Sequence, residues 1–141
     1  MKKSKIMEER IRRVKLLLQE LGFNMSDSEH DELTFTASFG RDDGFQAAIF
    51  MDKKSKFLEI SFTFFFPISM SDFLKQKLED MLKLCYEYGC YLNLDKTNTE
   101  IYFSVFTKLY YSGLNYYSLK QSIMDFENCV NELTELLNID S

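Results

Sequence analysis

Met7, Ile11, Val14, Leu18 and Leu21 recur at steps of four and three, which predicts a helix over residues 5–21 with these side chains on one face. Glu8–Arg12 and Glu9–Arg13 are i,i+4 pairs in the favourable order on its wet side. Gly22 supplies the stop. From Asn24 to Asp31 the chain is polar and acidic and reads as a loop. Leu33, Phe35, Ala37 and Phe39 then alternate with Glu32, Thr34, Thr36 and Ser38, the period of a half-buried strand. A hairpin loop over Gly40–Gly44 leads to a second strand carrying Phe45, Ala47, Ile49 and Met51. After a turn at 52–56, a third strand puts Leu58, Ile60, Phe62, Phe64 and Phe66 on one face. Pro67 ends it. These strands make a meander.

Ser69 and Asp72 match a capping box ahead of a helix over about 71–88. Its main stripe is Leu74, Leu78, Met81, Leu82 and Cys85. Phe73, Leu84 and Tyr88 widen the apolar surface to about half the circumference. Gly89 stops it, a short strand runs over Tyr91–Leu94, and a long strand from Glu100 to Tyr111 follows a turn. Ser118 and Gln121 form a second capping box. Leu119, Ile123, Phe126, Val130, Leu133 and Leu137 then line a last helix. The order α-β-β-β-α-β-β-α predicts an α+β fold: one domain over residues 1–141, with a five-stranded antiparallel sheet and three helices.

Composition suits that plan. A chain of 141 residues with 45% hydrophobic and 16% aromatic content can build a core without metal or disulfide. The net charge of −5 argues against a general nucleic-acid partner. It is unevenly spread: residues 1–22 carry +4 and the remainder −9. Lys15, Gln19 and Glu20 break any leader-like apolar stretch after the basic start, and the Phe64–Phe66 run is far too short for a membrane span. The chain is expected to be cytoplasmic, with no membrane partner. Cys85, Cys90 and Cys129 show no metal-binding spacing, so buried reduced thiols are expected.

Candidate chemistry is sparse. The single histidine, His30, lies among Ser28, Glu29, Asp31 and Glu32, with no second imidazole to complete a common zinc set. It reads as part of a solvated acidic loop rather than as a base. Asp42 with Asp43, and Asp95 with Glu100, do not match a calcium loop and are explained by turn chemistry. No nucleophile elbow is present, and Gly40 and Gly44 flank a hairpin rather than cradle a phosphate. A non-enzymatic protein without cofactor or metal is expected.

The positive signal is apolar surface beyond the needs of one core. Ile101, Phe103, Val105 and Leu109 occupy one face of the last strand, while Tyr102, Phe106 and Tyr110 occupy the other. Phe50 and Phe65 also fall on the off-pattern side of their strands. Either helices cover both sheet faces, or these five rings form a patch that binds a segment of another protein. The second helix poses the same choice. Phe73, Leu84 and Tyr88 are either buried or face a twofold mate, and a homodimer is the expectation.

The element order resembles that of the class I type III secretion chaperones and of the similarly folded bacterial YbjN family of sensory transduction regulators. The resemblance rests on the opening helix ending at Leu21, Gly22 and Phe23, the meander over Leu33–Phe66, and the helix 71–88. It continues through the hairpin around Asn93–Asn98 and the closing helix from Ser118. It covers nearly the whole chain without a short diagnostic motif. It implies no catalytic apparatus, a dimer contact near Phe73, Leu84 and Tyr88, and capture of an extended partner at Tyr102, Phe106 and Tyr110. The expected function is therefore a chaperone-like or adaptor-like protein-binding module. The alternative is a regulatory domain sensing a small ligand between sheet and helices.

Overall fold

The computed structural model describes residues 5–138. Three helices, α1 (Lys5–Glu20), α2 (Ser71–Glu87) and α3 (Tyr116–Leu136), accompany six strands. These are β1 (Asn24–His30), β2 (Thr34–Gly40), β3 (Gln46–Asp52), β4 (Phe57–Pro67), β5 (Tyr91–Lys96) and β6 (Glu100–Tyr110). The fold is α+β, with one antiparallel sheet in the order β1-β2-β3-β4-β6-β5. Among the described residues no helix is long and apolar enough to cross a membrane.

The sheet has six strands, not five. The segment over 24–31, expected as a loop, forms edge strand β1 and pairs with β2 from Asn24↔Gly40 to His30↔Phe35. Met25 is its only apolar residue, so the strand is held by backbone bonds to β2 and carries almost no hydrophobic alternation. Other local expectations shift as well. Leu33 is not a core position: it sits in a turn where the Asp31 carboxylate accepts the Leu33 and Thr34 N–H groups. Those two bonds hold the Asp31 carboxyl below its ordinary range. Leu82 is exposed, because it lies 100° around the helix from the buried Met81. α2 starts without a side-chain cap from Ser69, directly after a 3-10 turn at Ile68–Met70. At α3 the reciprocal box is one turn earlier than expected: Asn115 Oδ1 accepts the Ser118 N–H, and Ser118 Oγ accepts the Asn115 N–H.

The helix stops follow the glycines. Gly22 has φ +88°, and the Phe23 N–H bonds back to the Leu18 carbonyl at 2.9 Å. Gly89 has φ +70°, and the Cys90 N–H reaches the Cys85 carbonyl at 2.7 Å. Both closures need a left-handed residue that only glycine adopts without strain.

Contacts gather into two compact units. The first takes the chain up to Ser61 with Lys108–Ile123, and the second takes Phe62–Thr107 with the chain from Met124. In the first, Met7, Ile11, Val14 and Leu18 of α1 are buried together with the inward residues of β2 and β3. Phe23 meets Phe39 edge-on at 5.4 Å, and the Arg13 guanidinium donates to the Leu114 carbonyl. In the second, Phe103 is fully buried and stacks with Phe64 at 4.6 Å and Phe66 at 5.8 Å. Leu74, Met81 and Cys85 of α2 and Phe126, Cys129 and Leu133 of α3 complete that core.

Candidate functional site

In the second unit, alternation along β4, β5 and β6 turns one set of residues away from the core. β5 and β6 pair with Tyr91↔Phe106, Asn93↔Ser104 and Asp95↔Tyr102, so these six share one face. Tyr91 stacks on Phe106 with ring centroids 5.4 Å apart. Phe65, from β4, lies 6.0 Å from Tyr102. Between the two aromatic pairs runs a polar strip, in which the Thr63 and Ser104 hydroxyls hydrogen-bond at 2.9 Å. Phe65 is 66% exposed and Tyr91 51%, while Tyr102 and Phe106 are half-buried. Large rings left that open to water are costly unless something covers them.

This face ends at an unpaired edge. β5 pairs with β6 on one side and, among the described residues, has no strand on the other. Beside it a cavity of about 380 Å³ opens between β5 and α2, with Leu74, Leu78, Leu94 and Ile101 as walls and Lys75 and Lys96 at its rim. The site therefore offers apolar contact, free backbone groups on an edge, and a nearby pocket.

Of the five residues expected to bind a partner, Phe65, Tyr102 and Phe106 share the second unit. Phe50 and Tyr110 belong to the first. There Tyr110, 55% exposed, meets Phe57 edge-on at 5.6 Å, and Lys108 Nζ lies 4.6 Å over the Phe57 ring. Phe50 is half-buried on β3, between Thr36 and Glu59. Sequence reasoning missed Tyr91 and Phe57. Register with Phe106 finds the first, and strict alternation from Leu58 finds the second.

Phe73, Leu84 and Tyr88 are half-buried rather than open. The Tyr88 hydroxyl donates to the Glu132 carboxylate of α3, a bond that raises its pKa to about 12. The exposed apolar residues of α2 are instead Leu82 and Tyr86. They border an open groove of about 810 Å³ with Leu84 and Leu136, rimmed by Glu79, Asp80, Lys83 and Glu87.

The three cysteines are free and buried. Hydrogen bonding to Cys129 and burial both push the Cys85 thiol up. Cys129 is pulled down by Cys85, but its bond with Cys90 and burial prevail, leaving it raised to about 12. Thiols so perturbed are poor nucleophiles at neutral pH. Among the described residues no group of three or more His, Cys, Asp or Glu side chains is placed to hold a metal ion. Asp43 bonds Arg41 at 3.0 Å and accepts the Phe45 N–H, which is turn chemistry.

No family model matches the chain, and no curated protein matches it. Among solved structures it is similar to an uncharacterized protein from Methanothermobacter thermautotrophicus, with 16% identity and a TM-score of 0.64 over 90% of this chain and 95% of that one. That likeness is one of fold alone.

Proposed function

We propose that the chain is a non-enzymatic protein-binding module, chaperone-like or adaptor-like, that captures an extended segment of another protein. The observation that carries this reading is the exposure of the Phe65–Tyr102 and Tyr91–Phe106 pairs on the second unit's open sheet face. Aromatic anchors separated by polar groups suit alternate side chains of an extended chain, and the free edge of β5 suits backbone pairing with it. The reading extends to a homodimer through α2, with Phe73, Leu84 and Tyr88 near the contact and Leu82 and Tyr86 as its exposed apolar centre. Buried, unpaired thiols accord with a reducing, cytoplasmic setting.

The test is selection from a library of unstructured peptides, followed by titration of the best binder. Tyr91→Ala and Phe106→Ala should each weaken it while the circular dichroism spectrum stays unchanged. Folded variants that bind as tightly as the parent would sink the reading. A second reading, small-ligand sensing, rests on the 380 Å³ cavity beside β5. It predicts that a metabolite screen raises the melting temperature and that Leu78→Phe, which fills the cavity, abolishes the rise.

A further inference from the structure

The single histidine occupies an irregular stretch of the first unit. Along β1, Ser26 faces Ser38 and Glu29 faces Thr36, so Asp27 and Ser28 together oppose one residue of β2. This is a β-bulge, with Asp27 at φ +51°, a left-handed conformation that costs energy in any residue but glycine. Simple alternation would keep His30 on the same face as Asn24 and Ser26. The bulge turns it over, onto the side of Phe35, whose ring is buried. The imidazole stands edge-on to Phe35 at 5.8 Å. Its Nε2 is buried without a hydrogen-bond partner. Orphaned buried nitrogens are rare and ask for a bound group to explain them.

His30 and Ser28 line a cavity of about 290 Å³ whose opposite wall is α1. Arg12 and Lys15 stand on that wall, and Ile11 and Phe35 form an apolar floor. Lys15 Nζ lies 6.0 Å from the Phe35 ring centroid. Glu8 also borders the cavity, so the fixed charges are two cations against one carboxylate. The excess is positive in a chain that is acidic as a whole. The volume is at the small end of ligand pockets, enough for one ring and a head group.

We propose that this cavity binds a compact organic anion, its charged head held by Arg12 and Lys15 and its apolar body lying on Ile11 and Phe35. Ser28 and His30 supply hydrogen-bonding groups beside the head. The site is independent of partner capture by the second unit. The bulge is what carries the histidine to the cavity.

Nuclear magnetic resonance titration of the full chain tests this with phenyl phosphate as probe, and with inorganic phosphate and phenol as its two halves. Phenyl phosphate is expected to shift the Lys15, Ser28 and His30 amide signals saturably, with an apparent Kd below about 1 mM. Each half alone should bind at least roughly tenfold more weakly, and Arg12→Ala or Lys15→Ala should each cost roughly tenfold. Both residues are exposed, so these variants keep the fold. Lys54→Ala, in a turn away from the cavity lining, should change nothing. The proposal is overturned by the absence of a saturable shift at about 10 mM probe, by equal binding of phosphate and phenyl phosphate, or by shifts that survive both substitutions.

Discussion

The two edge strands of the sheet handle the same liability in opposite ways. β1 presents seven residues of which six are polar, and it is broken by a bulge at Asp27 and Ser28. Charge and irregularity of this kind stop a free edge from recruiting another strand. β5 pairs with β6 in unbroken register from Tyr91 to Lys96 and exposes Tyr91 and Leu94. It has no bulge, and its charges, Asp95 and Lys96, sit at one end only. An edge left straight, with Tyr91 and Leu94 open, where its counterpart is bulged is one kept available, and this contrast is what favours β5 for the proposed protein-binding face.

The contrast should lie in the edges and not in the cores beneath them. Phe39 pairs with Met25 of β1 and is 1% exposed, while Phe103 pairs with Leu94 of β5 and is fully buried. Phe39→Ala and Phe103→Ala are therefore expected to cost similar amounts, about 3–5 kcal/mol each in urea denaturation. A much smaller loss for Phe103 would mean that the β5 side is loosely folded rather than open for binding. Next in size is Tyr91→Ala with Phe106→Ala, expected to weaken a selected peptide by about 2 kcal/mol, roughly thirtyfold, at little cost to folding. Glu29→Ala, on β1, should leave that affinity unchanged.

Two smaller effects separate the edges by pH. Tyr88, just before β5, has its folded pKa raised from 10.0 to about 12 by Glu132. A raised value means its stabilisation is complete below pH 10 and is lost as the pH climbs towards 12. Tyr111, raised to about 12 chiefly by burial and partly opposed by Arg10, adds to the same alkaline arm. Tyr88→Phe should therefore flatten the fall of melting temperature over that range without abolishing it. Asp31, just after β1, has its pKa lowered by the Leu33 and Thr34 N–H groups. Its contribution is complete above the unfolded value near 3.8 and fades as the pH drops through the folded one. Asp31→Asn should remove that acid-side slope and leave the alkaline arm untouched.

Strong periodicity is what made most of the fold readable. The stripe of Met7, Ile11, Val14 and Leu18 and the alternation in β2, β3 and β6 stand in the structure where the pattern placed them. β1 escaped because its one apolar residue gives no alternation, and because the bulge shifts phase halfway along it. Leu33 and Leu82 misled for different reasons: Leu33 continues the alternation of β2 but lies in the turn before it, and Leu82 stands beside the buried face of α2 rather than on it. The Asn115–Ser118 box went unread because Ser118, three residues before Gln121, matches a capping box of its own. At the candidate site, the off-pattern aromatics were visible one strand at a time. Their pairing was not, since Phe65 with Tyr102 and Tyr91 with Phe106 depends on which strands are neighbours.

The hydroxyl pair of Thr63 and Ser104 has a consequence for what can dock there. Tyr102 and Phe106 are four residues apart on an extended strand, hence about 13 Å, with Ser104 midway. A segment laid along β6 in extended form meets ring, hydroxyl and ring at steps of two. The matching sequence carries apolar residues at positions one and five and a small polar residue at position three. On the proposed reading the face is a ruler, and a partner can be sought by the spacing it would measure.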